Sequence, residues 1–308
     1  MIALLGHTGY IGEAFARELQ RRGAPWRGLS RREVDYTHFD MLLAWLRTHR
    51  PELVINAAGF TGRPNVDACE TRQADTLLGN TILPLTVAHA CTAHDIPYAH
   101  ISSGCIYAGA KIGDRVEKDL SKIPEAELAQ LRGFTETDRP NFTFRDPPCS
   151  FYSGSKALAE EALQSVGRGF VWRLRIPFDQ FDNPRNYLTK LLRYPRIYQN
   201  VNSLSHRGEF ARACLDLWER RAPFGTYNVT NPGFVTTRQV VALIQKILKP
   251  ARTFEFWADD SEFYRLGAKT PRSNCVLDVS KLLATGVTLR PVEEALTDSL
   301  QHWTVNTP

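Results

Sequence analysis

No apolar stretch in this chain approaches the roughly 20 residues that a membrane-spanning helix needs, so no membrane partner is expected. The six cysteines, Cys69, Cys91, Cys105, Cys149, Cys214 and Cys275, lie far apart and include no Cys-x-x-Cys pair. That spacing argues against a zinc site and against a disulfide framework, and it fits a reducing cytoplasm. The sequence opens on the apolar stretch MIALLG with no positive region or cleavage site, so no export signal is expected. Blocks of like charge are missing as well. The net charge of +5 is spread over Lys and Arg interleaved with Asp and Glu, so nucleic acid is not an expected partner, and a small polyanion accounts for the excess equally well. Internal repeats and low-complexity segments are also absent.

What the 308 residues do contain is an alternation of short apolar runs with amphipathic stretches. IALLG, PELVINAAG, IPYAHISSG and GFVWRLRIP read as strands, with GEAFARELQRRG, TILPLTVAHACTAHD and SKALAEEALQSV as helices between them. This rhythm predicts the α/β class, a Rossmann-type doubly wound parallel sheet covered by helices on both faces. Past about residue 175 the rhythm loosens into IPFDQFDNPRN, which suggests a smaller C-terminal substrate-binding lobe. The expected division is residues 1–175 for the dinucleotide domain and 176–308 mainly for the lobe, with some later strands and helices returning to the first part. Residues 108–148 read as a long surface loop.

Gly6, Gly9 and Gly12 form a Gly-x-x-Gly-x-x-Gly turn between the first strand and the first helix. Glycine there lets the backbone approach a pyrophosphate, and the helix N-terminus attracts its charge. Thr8, Tyr10 and Ile11 complete the turn, and Asn56, Ala57, Ala58 and Gly59 follow the third strand. The second strand ends in Ser30 and Arg31 instead of the acid that grips an NAD ribose, so NADP(H) is the expected cofactor. Glu33 and Asp35 follow closely and keep NAD(H) open as the alternative.

Tyr152 and Lys156 stand four apart on one predicted helix face. A phenol with an ordinary pKa near 10 serves as an acid or base near neutrality only with a cation beside it, which Lys156 supplies. Ser103 closes the strand IPYAHIS at a carboxyl end, the edge where open α/β sheets bind ligands. The glycine turn, Asn56-Ala57-Ala58-Gly59, Ser103 and Tyr152-x-x-x-Lys156, in this order, resemble the short-chain dehydrogenase/reductase superfamily.

The phrases NAAGFTGRPNVDACE, SSGCIY, SFYSGSKALAEE, NPRNYLTK, NVTNPG and PRSNCVLD resemble the bifunctional nucleotide-rhamnose synthases and, more distantly, dTDP-4-dehydrorhamnose reductase. The resemblance runs over essentially the whole chain. It implies NADPH-dependent reduction of the C4 ketone of a UDP- or dTDP-linked 4-keto-6-deoxyhexose, with 3,5-epimerisation on the same chain and a homodimer left open. It assigns acid/base roles in epimerisation to Cys105 and Lys190. On residue type alone, Cys105 is a buried small hydrophobe and Lys190 a surface lysine. The resemblance further implies substrate contacts at Arg63, Asn65, Ser103, Gly104, Asn186 and Lys190. Arg185 and Arg272 read as forks for the substrate diphosphate, with exposed loop charge as the alternative. By analogy with the superfamily Asn80 orients Lys156 through water, with helix capping as the alternative. A monofunctional 4-ketoreductase and a catalytically silent NADP-binding regulatory subunit stay open. Two departures bear on the sugar: the family's threonine is Ser103 here, and an extra Phe144-Arg145-Asp146-Pro147-Pro148-Cys149 segment precedes the Tyr152 helix.

Overall fold

A computed structural model describes residues 1–63 and 65–305. Six strands, β1 (Ile2–Leu5), β2 (Trp26–Leu29), β3 (Leu53–Asn56), β4 (Tyr98–Ser103), β5 (Gly169–Leu174) and β6 (Gly225–Asn228), form one sheet. Every pairing is parallel, in the order β2-β1-β3-β4-β5-β6. The direction of winding reverses between β1 and β3, which opens a crevice at the carboxyl ends of those strands.

Alternation along each strand sorts the side chains onto two buried faces, as a parallel sheet covered on both sides requires. Ile2, Leu4, Leu53, Ile55, Phe170 and Trp172 face one core, with Phe15 of α1 (Gly12–Arg21) stacked on Trp172 at 6.0 Å between ring centroids. Ala3, Leu5, Val54 and Val171 face the other. That second core takes Leu42 and Trp45 from α2 (Phe39–His49). The short helices α3 (Ala68–Thr71) and α4 (Gln73–Leu77) follow. A π turn, Leu78–Ile82, then leads into α5 (Leu83–Thr92), whose Leu83 and Val87 also pack on this face. Leu163 arrives from α6 (Phe151–Leu163).

After β5 the chain builds a separate cluster from α7 (Tyr187–Arg193) and three short strand pairs, then returns to the sheet. Phe210 and Cys214 of α8 (Arg207–Glu219), with Tyr227 of β6, belong to the sheet core. Val240 and Ile244 of α9 (Thr237–Leu248), joined by Leu296 and Leu300, complete the lobe core. Helices α10 (Asp260–Leu266) and α11 (Ser280–Leu283) precede α12 (Val292–Gln301), which carries Leu296 and Leu300. Residues 108–148, expected as a loop, contain an antiparallel hairpin of residues 110–112 and 115–117 and two 3-10 turns. Among the described residues no helix is long and apolar enough to cross a membrane.

Candidate active site

The glycine turn lies in the crevice between β1 and β3. Gly6 has φ +72°, and a Cβ on it would stand 2.7 Å from the Ala58 amide nitrogen. A Cβ on Gly12 would stand 2.0 Å from the Gly6 carbonyl oxygen. Both positions therefore demand glycine, and no side chain caps α1, so the turn forms a bare backbone cradle at a helix N-terminus. Thr8 and Gly9 are exposed, with Tyr10 and Ile11 half-buried beside them. The buried Asn56 shapes the facing loop, its Oδ1 accepting the Ala58 N–H at 3.1 Å. This cradle fits a dinucleotide pyrophosphate.

At the end of β2 the two acids are already engaged. Glu33 accepts the Ser30 hydroxyl at 2.9 Å and the Ser30 N–H at 3.1 Å, while Asp35 accepts the Thr37 hydroxyl at 2.6 Å. These bonds hold both carboxyls below their usual range. Ser30 is thus held by Glu33, whereas Arg31 is exposed and makes no ion pair among the described residues.

Helix α6 starts where the Ser150 hydroxyl accepts the Ser153 N–H at 3.1 Å. From there Tyr152, Lys156 and Glu160 follow at four-residue spacing along one face. Ser103, at the end of β4, adjoins the Tyr152 phenol, and its oxygen accepts the Cys105 N–H at 3.2 Å. Burial, then the neighbouring Cys105 and Cys69 thiols, push the Tyr152 phenol well up, so it stands as a protonated acid. Lys156 is 5% exposed and donates to the Ile101 carbonyl at 3.2 Å. Burial pulls its ammonium down to about 8, against the opposing pull of Cys105 and Glu160.

Asn80 sits in the π turn, fully buried. It does not cap a helix; its Oδ1 accepts the Phe60 N–H at 2.9 Å and its amide donates to the Phe60 carbonyl at 2.8 Å and to Ser155 Oγ at 3.2 Å. A Cβ on Gly59 would lie 3.2 Å from Asn80 Oδ1 and 3.7 Å from Lys156 Nζ. Asn80 therefore joins the Gly59-Phe60 loop to α6 right beside Lys156.

Cys105 packs with Ile106, Tyr107, Phe134, Ala157, Cys275 and Leu277 against Tyr152. Burial raises its thiol, while Ser103, Ser153, Arg175 and Lys156 work against that rise. Gly104 is buried, and its carbonyl accepts the Cys275 thiol at 3.2 Å. Lys190, on α7, has its ammonium pulled down by burial and then by the cations of Arg185 and Arg272. Arg185 bonds the Thr61 hydroxyl and the Gly62 carbonyl. Arg272 meets Asp67 through both terminal nitrogens, at 2.7 and 2.9 Å, and Asn65 Oδ1 in turn accepts the Asp67 N–H at 2.8 Å. Lys190 thus lies within the electrostatic reach of two arginines, of which Arg272 is paired with Asp67 and Arg185 meets only neutral oxygens. Arg63 is exposed.

Asn186 is fully buried: its Oδ1 caps α7 through the Leu188 N–H at 2.9 Å, and its amide donates to Asp179 and to the Phe181 carbonyl. Its hydrogen-bonding groups are engaged within the lobe, so it shapes the loop carrying Arg185.

Several residues were missed from the sequence. Glu160 stands one turn beyond Lys156 and was legible by spacing. Arg173 and Arg175 interrupt an otherwise apolar strand run, GFVWRLR, which is a readable sign of buried charge. Glu70 carried no such sign: its Oε1 accepts both the Phe151 N–H and the Thr270 hydroxyl at 2.8 Å, joining the start of α6 to the loop that bears Arg272. Among the described residues no group of His, Cys, Asp and Glu is placed to hold a metal.

A family model described as the RmlD substrate binding domain matches residues 1–305. The chain belongs to this family. A relative from Arabidopsis thaliana, named bifunctional dTDP-4-dehydrorhamnose 3,5-epimerase/dTDP-4-dehydrorhamnose reductase, is 30% identical over 95% of this chain and 90% of its own. Trifunctional Arabidopsis proteins, named UDP-glucose 4,6-dehydratase/UDP-4-keto-6-deoxy-D-glucose 3,5-epimerase/UDP-4-keto-L-rhamnose-reductase, also match. One is 32% identical over 91% of this chain, which spans only 39% of that relative's length. Among solved structures, a UDP-rhamnose synthase from Acanthamoeba polyphaga mimivirus superposes with TM-score 0.83 at 25% identity, covering 98% of this chain and 99% of the other. A dTDP-4-dehydrorhamnose reductase from Bacillus anthracis, solved in complex with NADP, shares the RmlD-family fold at TM-score 0.76 and 18% identity, covering 98% and 97%.

Proposed function

We propose that this chain is an NADPH-dependent reductase of the C4 ketone of a nucleotide-linked 4-keto-6-deoxyhexose, and that it also epimerises C3 and C5. The observation that carries the reading is the meeting of Ser103, Tyr152, Lys156 and Cys105 at the carboxyl end of β4. A carbonyl placed there accepts a hydrogen bond from Ser103 and the proton of Tyr152, and the Lys156 cation favours the phenolate left behind. NADPH, when bound, supplies the hydride. The cradle of residues 6–12, the Asn56–Gly59 loop and Arg31 would hold it, with NADH as the alternative cofactor. Arg185 and Arg272 would take the diphosphate.

Epimerisation needs groups on opposite faces of the ring that take and return a proton. Cys105 and Lys190 suit this, since each belongs to a different set of charged neighbours: Arg175 and Lys156 beside Cys105, Arg185 and Arg272 beside Lys190. A monofunctional 4-ketoreductase is the second reading, favoured by the added segment 144–149. Its Phe144 ring lies directly over Gly154, two residues past the proton donor. A silent regulatory subunit gains no support from a complete Ser103, Tyr152 and Lys156 set.

The same proposal divides the chain into a cofactor domain, residues 1–175, and a sugar-nucleotide lobe, 176–308, with α8 and β6 returning to the sheet. It places the protein in the cytoplasm, which suits six free cysteines, and as a homodimer, for which Leu78, Ile82 and Leu158 offer exposed aliphatic surface on adjoining helical segments.

The test follows NADPH oxidation with UDP- and dTDP-4-keto-6-deoxyglucose, without added epimerase, and identifies products by NMR. A rhamnose product establishes both activities, an unepimerised 6-deoxyhexose leaves the ketoreductase alone, and no turnover with either sugar overturns the reading.

A further inference from the structure

Arg175 stands immediately past β5, beside the functional edge, because Leu174 pairs in register with Ser103. It is 5% exposed. One terminal nitrogen donates to Asn202 Oδ1 at 2.6 Å and to the Ser273 carbonyl, but among the described residues no carboxylate meets it, and its buried Nε has no partner. Arg173, two residues earlier, is neutralised by Glu160. A buried cation without a counter-charge is costly, so one is retained where an anion is to be met.

The backbone is shaped to keep Arg175 in place. Its N–H donates to Ser205 Oγ at 3.0 Å, and its carbonyl accepts the Ser205 N–H at 2.7 Å. The next residue, Ile176, has φ +37°, a left-handed conformation that a β-branched side chain disfavours and that structures tolerate mainly where a site requires it. Asn202 Oδ1, which holds the guanidinium, also accepts the Cys275 N–H at 3.1 Å, and the Cys275 thiol reaches the Gly104 carbonyl. Cys275, Cys105 and Tyr152 share one cluster. Arg175 is thereby tied, through Asn202 and Cys275, to the turn that carries Cys105.

We propose that Arg175 is the counter-charge of the Cys105 thiolate, the positioning residue that makes this thiol a usable base in epimerisation. The inference rests on the functional reading above. In the step concerned, the thiolate takes a proton from a ring carbon beside the ketone. The C–H bond breaks, an S–H bond forms, and the electron pair passes to the enolate oxygen; the Lys190 ammonium then gives a proton to the same carbon from the opposite face, a new C–H bond forms as the ketone returns, and the configuration is inverted with no net oxidation. The titratable groups facing Cys105 are Tyr152 and Lys156 of α6, Arg175, Cys275, Cys69 of α3, and Cys149 ahead of α6. Arg175 and Lys156 are the cations among them, and Lys156 is engaged with the Ile101 carbonyl.

The experiment labels cysteine Cβ with carbon-13 in the full chain, assigns Cys105 with Cys105→Ser, and follows its titration in wild type, Arg175→Gln and Arg175→Lys. The Cys105 midpoint is expected to rise by about one pH unit or more in Arg175→Gln and to return most of the way in Arg175→Lys. Deuterium uptake at C3 or C5 falls about tenfold near neutral pH in Arg175→Gln, with its pH profile displaced equally. If Arg175→Gln fails to fold, the nitrogen-15 resonance of the wild-type Arg175 Nε decides. It must titrate with the Cys105 midpoint and cease to do so in Cys105→Ser. Coincident midpoints in all three proteins, or a wild-type Nε resonance indifferent to Cys105, overturn the inference. A wild type that shows the coupling yet takes up no deuterium supports Arg175 as the counter-charge and overturns the epimerase reading alone.

Discussion

Arg173 of β5 and Glu160 of α6, the helix that carries Tyr152 and Lys156, meet in an ion pair 2.6 Å at its shortest, both nearly inaccessible. Ser102 donates to the same carboxylate, and the Arg173 guanidinium also donates to the Tyr107 hydroxyl at 3.1 Å. Removing one partner strands the other charge in a low-dielectric interior, which costs about 3–5 kcal/mol. Glu160→Gln is therefore expected to lose stability on that scale in urea unfolding. Replacing both residues with apolar side chains of similar volume should cost much less. Equal losses from the single and double replacements would show that the pair is not what the single change removes.

In the proposed reading Lys156 sets the alkaline limit of activity. Its pKa of about 8 in the folded protein lies below the ordinary lysine value near 10.4, so between these the unfolded chain binds the extra proton. The Lys156 contribution to stability accordingly rises with pH across that window and is lost as pH falls through about 8. Activity runs the other way: above about 8 the cation that favours the Tyr152 phenolate disappears, and reductive kcat/KM should fall with unit slope. A profile flat to pH 10 would exclude this role for Lys156.

In the proposed reading cofactor choice turns on Arg31, since Glu33 and Asp35 are engaged with Ser30 and Thr37. Arg31→Ala is expected to weaken NADPH binding about tenfold or more, the worth of a charge-assisted contact to phosphate, with a much smaller change for NADH. Fluorescence titration of both cofactors reads the difference. Parallel losses would mean that Arg31 does not meet the 2′-phosphate.

For Cys105, the Ala variant should abolish deuterium uptake at C3 or C5, whereas reduction of a sugar already epimerised falls far less. Uptake at the wild-type rate would leave Cys105 a packing residue of the cluster around Tyr107 and Phe134.

Much of this was readable in the sequence because it depends on residues near one another in the chain. The glycine turn, the Tyr152 and Lys156 spacing and Ser103 at a strand end are local, and the parallel sheet follows from apolar periodicity that the two cores bear out. The committed amide of Asn186 and the contacts of Asn80 were not legible, because each depends on partners brought close only by folding.

The sequence by itself determined the fold class, the cradle between β1 and β3 and the placing of Tyr152 and Lys156 on one helix face, since backbone propensity and side-chain period act over a few residues. Tertiary structure alone decided which charges are cancelled. Arg173 and Arg175 are two residues apart on one strand run and look alike in the sequence. Packing gives the first a carboxylate from α6 and the second two carbonyl oxygens, leaving a buried positive charge with no carboxylate among the described residues. Glu160 reaches Arg173 from the helix just before β5, 13 residues away, whereas the partners of Arg175 lie 27 and 98 residues away, a difference that only tertiary packing decides.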